Sequence, residues 1–259
     1  MKKLFAALLV LLLAGNAAAE TYVENGGRIP DGNTYGGSPE QAYAQILNSH
    51  ASAIQTYEAR SIEYRQGGTH VVSQCRPVGF EDLNADGVPE LIFMEAIYGE
   101  DQEARGDLYI YSWRNGSAGC TLYVPGITRP DYDDFLGFDI YLSSLGGNSL
   151  VIEHYEYECP WILQFSADAS GQYDLNSYLH WEYWSNNGEQ DVRYLANGTA
   201  VSADEYSLRL DSLRNAKTRT VSGYMETGAA TYGFDYTWSG AMEKLQQEGT
   251  WGRANNKTT

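Results

Sequence analysis

One ten-residue stretch, DLNADGVPEL at positions 82–91, concentrates the oxygen-bearing side chains that hard cations prefer. Its acids and amide alternate with other residues, so on a tightly curved loop they can all point inward. Gly87 permits the sharp bend that such a loop needs. Oxygen ligands without sulfur or imidazole favour calcium over zinc or copper. We therefore predict a calcium site whose ligands are the side chains of Asp82, Asn84, Asp86 and Glu90 and the backbone carbonyl of Val88.

The residues around this loop exclude a helix–loop–helix calcium hand. Such a hand needs an acidic ligand at the twelfth loop position, which here is Phe93. The flanks VGFEDL and ELIFME have the composition of strands, and Pro89 suits the start of a strand better than the middle of a helix. A strand–loop–strand calcium site therefore remains, with a plain polar turn between two strands as the alternative.

The stretch FEDLNADGVPELIF, followed by LYIYSW, resembles the strand–loop–strand calcium units of the FG-GAP/VCBS repeat class. It is also similar to exported bacterial proteins that contain a single D-x-N-x-D-G-x-P-E-L loop, and the later YLANGTAVSADEY resembles a hairpin and helix of those proteins. The resemblance implies the same five calcium ligands. This chain differs from the repeat class in having one such loop, which argues against a closed multi-blade propeller.

Paired carboxylates that could hydrolyse glycosides are the alternative chemistry. The densest acidic clusters are Asp131, Asp133 and Asp134, and then Glu153, Glu156 and Glu158 beside His154. Solvated loops and strand faces give the same pattern without any catalysis. The chain contains no Gly-x-Ser-x-Gly, His-Glu-x-x-His or phosphate-loop motif, so no standard catalytic signature supports an enzyme.

Aromatic residues are abundant, with 21 Tyr and 6 Trp, and they are dense in HWEYWSNN at positions 180–187. Alternation along a strand would place Trp181 and Tyr183 on one face and Trp184 with His180 on the other. Exposed aromatic rings bind sugars or peptide partners by stacking, whereas buried rings fill a β-rich core. We predict Trp181, Tyr183 and Trp184 as candidate ligand-binding residues.

Residues 1–19 have the features of a secretory signal peptide. Lys2 and Lys3 precede an apolar run over residues 4–14, and small residues up to Ala19 form a cleavage site. The apolar run is too short for a membrane-spanning helix, and no later stretch is long enough. We therefore expect the mature chain to begin near Glu20 and to be secreted.

The mature chain is strongly acidic, with 15 basic residues against 34 acidic ones once Lys2 and Lys3 are removed, a net charge of −19. Such a surface repels phosphate backbones and anionic membranes, so a nucleic-acid partner is not expected. The three cysteines, Cys75, Cys120 and Cys159, allow at most one intramolecular disulfide, and the sequence leaves the pairing open.

The remaining pattern predicts a single α+β domain over residues 37–248, after a flexible segment at 20–36 and before a polar tail at 249–259. The fold would be mainly an antiparallel sheet or a small sandwich. We predict an N-terminal amphipathic helix from Glu40 to about Tyr64, either continuous or broken, with Ser38 as its N-cap and Pro39 as a first helical residue. Several strands follow, with tight turns at Asn115-Gly116 and Asn197-Gly198. A second helix near 203–216 begins at the capping box SADE.

Together these features predict a secreted or surface-associated, non-enzymatic binding module that is stabilised by one structural calcium ion. Its partner would be a glycan or a protein. A glycan-active hydrolase that uses paired carboxylates is the alternative.

Overall fold

The computed structural model of the chain describes residues 32–59, 61–66, 69–98, 104–128, 137–155, 161–169, 171–186, 189–223 and 234–247. The predicted signal peptide at 1–19 and the polar tail at 249–259 lie outside these residues. In the described part of the chain, no helix is long and apolar enough to cross a membrane.

Four helices and fourteen strands make up the described residues. The helices are α1 (Pro39–Ser49), α2 (Ala51–Glu58), α3 (Ala203–Asn215) and α4 (Trp238–Gln247). The strands are β1 (Thr34–Gly36), β2 (Ser61–Gln66), β3 (Thr69–Gln74), β4 (Val78–Glu81), β5 (Glu90–Tyr98), β6 (Ala104–Arg114), β7 (Ser117–Thr128), β8 (Gly137–Ser143), β9 (Ser149–Tyr155), β10 (Trp161–Ala167), β11 (Tyr173–Asn186), β12 (Glu189–Ala196), β13 (Thr199–Val201) and β14 (Lys217–Gly223).

Two antiparallel sheets pack face to face as a sandwich. The five-stranded sheet has the order β1-β7-β6-β5-β4, the seven-stranded sheet has the order β13-β12-β11-β10-β9-β8-β14, and β2 and β3 form a separate pair. Apolar side chains from both large sheets share one core. A second core joins α1, α2 and α4 to the outer side of the five-stranded sheet, and a third joins α3 to the seven-stranded sheet. The predicted α+β sandwich is confirmed.

Alternation along the central strands divides their side chains between two cores. Ile92, Met94, Leu108 and Ile110 face the other sheet, whereas Leu91, Phe93, Tyr109 and Tyr111 face the helices. Because both faces of β5 and β6 are buried, these strands are apolar at almost every position, which explains the continuous run ELIFM.

The first predicted helix is correct at its start and wrong at its end. Ser38 caps α1 with a reciprocal capping box to Gln41, and Pro39 is the first helical residue. The helix breaks at His50, whose Nδ1 lies 2.7 Å from Oε2 of the buried Glu95. The second segment, α2, ends at Glu58, and the chain continues as strand β2 where the helix was predicted to reach Tyr64.

Several predicted turns and caps are confirmed. Asn115 and Gly116 have φ values of 52° and 89°, and Asn197 and Gly198 have 50° and 73°, as tight hairpin turns require. Ser202 caps α3 by accepting from the amide of Glu205, as SADE predicts. Three strands were not predicted: β2, where the helix was expected to continue, β8, and the short β1, which lies in the segment predicted to be flexible.

The cysteines occupy different cores. Cys75 lies in the core between the sheets, and Cys120 lies on the helix-facing side of the five-stranded sheet. Both are buried thiols that do not bridge each other, and Cys159 lies outside the described residues. A Cys75–Cys120 disulfide, one of the pairings that the sequence left open, is therefore not formed.

The C-terminal part of the chain crosses from one sheet to the other. β14 is an edge strand of the seven-stranded sheet, but Tyr236 pairs with Val78 of β4 in the five-stranded sheet. Phe234 lies over Gly79, where a Cβ would come within 2.9 Å of the Phe234 ring. Gly79 therefore leaves the space that the Phe234 ring occupies, and Tyr236 pairs with the outer side of β4.

A buried carboxylate anchors α3 to the outer face of the seven-stranded sheet. Glu153 accepts hydrogen bonds from Nε and Nη2 of Arg214, with a shortest distance of 2.7 Å, and from the hydroxyl of Tyr141 at 2.7 Å. Glu153 is 2 % exposed, so its charge depends on these partners. Only Tyr206 and Leu213 of α3 are buried, so the helix makes few apolar contacts with the sheet. The Glu153–Arg214 ion pair compensates for these missing contacts.

Arg214→Ala is expected to lower the free energy of unfolding by about 2–3 kcal/mol, because it removes the cationic partner of a buried carboxylate. Urea unfolding followed by circular dichroism would measure the loss. The matched control is Arg209→Ala on the same helix, whose partner Glu205 is solvent-exposed, and its cost should stay within about 0.5 kcal/mol. Equal losses in the two variants would contradict an anchoring role for Glu153 and Arg214.

Candidate metal centre in the β4–β5 loop

The predicted metal loop connects the antiparallel strands β4 and β5, whose last pair is Glu81 and Glu90. Two residues take left-handed backbone conformations, Ala85 with φ 60° and Gly87 with φ 86°. These conformations curl the chain so tightly that alternate side chains turn to the inside. The tip of the loop, residues 85–87, is exposed to solvent.

Three of the four predicted side-chain ligands hold the loop in this shape by accepting backbone hydrogen bonds. Asp82 accepts from the amide of Asp86 at 3.1 Å and from that of Gly87 at 3.0 Å. Asn84 Oδ1 accepts from the amide of Asp86 at 2.8 Å, and Asp86 Oδ1 accepts from the amide of Val88 at 2.8 Å. The structure thus brings Asp82, Asn84 and Asp86 together around one turn of chain. Each of these oxygens has a second lone pair that could face a cation.

The fourth side-chain ligand, Glu90, is buried at the base of the loop with 2 % exposure. Its Oε2 accepts from the amide of Leu83 and its Oε1 from Nδ2 of Asn84, both at 2.7 Å. Burial raises the pKa of Glu90 to about 7; the Leu83 amide opposes this shift, whereas the charges of Asp86 and Asp82 add to it. Glu90 thus closes the loop, and its charge is unfavourable in the absence of a cation.

The donor types fit calcium. Three carboxylates, one amide oxygen and one carbonyl would supply five ligand groups, and calcium takes six to eight oxygens, with water able to complete the set. Among the described residues, no group of three or more His, Cys, Asp or Glu side chains is arranged to hold a metal ion. Glu90 directs both of its oxygens at N–H donors, so binding through Glu90 would need shared lone pairs or a small rotation.

Two residues outside the loop fix it to the rest of the molecule. The hydroxyl of Tyr43 on α1 donates to the carbonyl of Pro89 at 2.8 Å. Nη2 of Arg219 on β14 donates to the carbonyl of Asp82 at 2.7 Å, and its Nη1 lies 3.7 Å from Glu81. Neither anchor is predictable from the sequence, because Tyr43 and Arg219 are 46 and 137 residues away from the carbonyl groups that they bind. Contacts at this separation produce no local sequence motif.

The predicted aromatic residues are only partly described. Trp181 is half-buried on the outer face of the seven-stranded sheet, opposite Tyr194 on the next strand. Tyr183 and Trp184 lie in β11, but their side chains are outside the described part. His180 stacks on Trp161 with ring centroids 3.8 Å apart, so these two rings fill the core.

The predicted acidic clusters do not form a described site. Asp131, Asp133, Asp134, Glu156 and Glu158 lie outside the described residues. Within them, Glu153 is engaged by Arg214 and Tyr141 and faces α3. The structure therefore places Asp82, Asn84, Asp86 and Glu90 in one hydrogen-bonded loop. Glu153 lies opposite Asp139 of β8 in the strand register, and its carboxylate is bound by Arg214 and Tyr141.

No protein-family model matches this chain, and neither the curated proteins nor the solved structures give a match. The resemblance of the loop to the FG-GAP/VCBS class therefore stays a prediction from the sequence, as does calcium binding.

In the absence of calcium, the free energy of unfolding is expected to fall by about 3 kcal/mol between pH 5 and pH 8 through Glu90 alone. The pKa of Glu90 in the folded protein is about 7, above its ordinary value of 4.5. The protonated form of Glu90 therefore stabilises the folded protein at low pH, and this contribution is lost as the pH rises through 7. Urea unfolding in a calcium chelator at several pH values would measure the fall.

Glu90→Gln should flatten this pH dependence, because glutamine does not ionise, whereas the matched variant Glu205→Gln at an exposed helix position should leave it unchanged. Parallel pH profiles for the wild type and Glu90→Gln would contradict a buried, ionisable Glu90.

Proposed function

We propose that this protein is a secreted or surface-associated, non-enzymatic binding module that is stabilised by one structural calcium ion. The ion would bind in the β4–β5 loop through Asp82, Asn84, Asp86, the carbonyl of Val88 and Glu90. The observation that supports this proposal most directly is the tight curl of the loop, in which Asp82, Asn84 and Asp86 accept backbone hydrogen bonds above a buried Glu90.

The charge distribution supports a stabilising role for calcium. Asp82, Asp86 and Glu90 repel one another at short range, and the cost is greatest for Glu90 because it is buried. An ion that binds the folded loop and not the unfolded chain would remove this repulsion and would stabilise the fold by mass action. The loop lies between β4 and β5, so the ion would fix the start of a strand that passes through both cores.

The surroundings of Glu153 favour a binding role over a hydrolytic one. A catalytic carboxylate pair must face a substrate cleft, with its two groups about 5–10 Å apart. Glu153 is instead covered by α3 and neutralised by Arg214. A glycan or protein partner would bind through the candidate aromatic residues of β11, which are Trp181 and Tyr183 on one side of the strand and Trp184 on the other, because planar rings can stack on sugar rings or on peptide side chains.

Calcium is expected to raise the melting temperature of the wild type by roughly 5–10 °C at a concentration one hundred times its dissociation constant, since mass action then supplies about 2.7 kcal/mol. Asp86→Ala should abolish most of this shift, because it removes a predicted ligand at the exposed tip of the loop. Thermal unfolding with added calcium and with chelator would measure both.

The matched control for Asp86→Ala is Asp211→Ala, which removes an exposed acid from α3 and should keep the full calcium response. Magnesium should give a smaller shift than calcium, because it demands stricter octahedral geometry. A wild type that does not respond to calcium, or an Asp86→Ala variant that responds equally, would refute the calcium site.

Trp181→Ala is expected to weaken binding to a polysaccharide ligand by about tenfold or more, because an aromatic stacking platform contributes at least 1.4 kcal/mol or so at a binding hot spot. Affinity electrophoresis through gels that contain soluble polysaccharides would measure retention. Leu208→Ala on α3 removes an equally apolar but separate exposed side chain and should leave retention unchanged. Equal retention of wild type and Trp181→Ala would exclude this face.

A further inference from the structure

We propose that calcium binding in the β4–β5 loop is energetically coupled, through Arg219, to the docking of edge strand β14, so that the ion also holds the two sheets together. This inference rests on the proposed calcium site and adds a mechanical consequence to it. Its basis is a direct contact between the loop in one sheet and a strand of the other.

Asp82 is the residue that the two interactions would share. Its side chain is a predicted calcium ligand, and its backbone carbonyl accepts a hydrogen bond from Arg219 at 2.7 Å. A bound ion would fix the position of Asp82. The Arg219 hydrogen bond would then form at a lower entropic cost, and by thermodynamic reciprocity a docked Arg219 would favour the ion.

Strand β14 is held mainly by β8, where the Lys217 ammonium lies 4.8 Å from the centre of the Tyr141 ring. Within the described residues, β14 pairs with β8 alone, and that pairing is irregular at two positions. Residues 217–220 are exposed, and Val221 packs only partly against the core between the sheets. Thr218 donates to the carbonyl of Leu142 at 3.1 Å. An edge strand with so little buried surface opens at low free energy, so one additional anchor has a measurable effect.

Charge supports the same coupling. Arg219 lies beside two acidic residues of the loop: its Nη1 is 3.7 Å from Oε2 of Glu81, and its Nη2 donates to the backbone carbonyl of Asp82. When no cation occupies the loop, its unneutralised charge makes the whole acidic surface less stable. Calcium would relieve this repulsion on the loop side, while Arg219 neutralises Glu81 from the side of β14.

Hydrogen exchange of the full mature chain, with calcium and with chelator, tests the coupling. At one hundred times the dissociation constant, mass action slows exchange through ion-releasing openings by about 100-fold at most. We expect amides of the loop and of β14 to slow by at least about tenfold, whereas amides of β13, an edge strand at the opposite end of the same sheet, should be unchanged.

Arg219→Gln should separate the two effects. The loop amides of this variant should still slow with calcium, but the slowing in β14 should fall to less than about twofold. Arg193→Gln, which removes a half-exposed arginine paired with Glu182 on the same sheet, should behave like the wild type.

The outcomes are distinguishable. Loop amides that slow with calcium while β14 does not would overturn the coupling and leave the calcium site intact. Protection of β14 that persists in Arg219→Gln would also overturn the role of Arg219. Loop amides of the wild type that do not respond would refute the calcium site itself, and the coupling with it. The wild-type measurement decides the first and third outcomes even if Arg219→Gln does not fold.

Discussion

The five-stranded sheet is covered on both faces, and the rest of the structure depends on this constraint. Its strands must be apolar on both sides, so one face needs the helices and the other needs a second sheet. A charged group inside these layers is costly unless it is hydrogen-bonded. Glu95 is accordingly bound to His50 at the break between α1 and α2, and Asp107 accepts from the hydroxyl of Tyr123 and from the amide of Gly126.

The same constraint shapes the β4–β5 loop. Glu90 is the first residue of β5 and is already inside the layered structure, so its carboxylate must find donors nearby. The loop supplies them from Leu83 and Asn84. Buried Glu90 needs hydrogen-bond donors, and the donors that it binds belong to the loop. These hydrogen bonds hold the loop, with Asn84 and the neighbouring acids, against the start of β5. Core packing and the candidate metal site are, in this sense, one arrangement.

Local patterns in the sequence predicted local structure well. The alternation in LYIYSW, the Asn-Gly turns, the cap at Ser38 and the curl of DLNADG each depend on a few neighbouring residues, and each is present. The helix is divided at His50, whose contact with Glu95 spans 45 residues and leaves no local signal. The strand β8 was not predicted, although Phe138, Ile140 and Leu142 alternate along it and pack on the core between the sheets. Tyr43 and Arg219, the anchors of the loop, act across the fold and were not accessible to spacing rules.

The crossing of the C-terminal segment has a consequence for how the chain acquires its structure. The strands β4 to β7 are neighbours in both sequence and sheet, so they can form while later residues are still unfolded. The edge beside β4 stays open until Phe234 covers Gly79 and Tyr236 pairs with Val78, contacts that close a loop of more than 150 residues. Premature termination before residue 234 would therefore leave an exposed strand edge, which is the kind of surface on which partly folded chains aggregate.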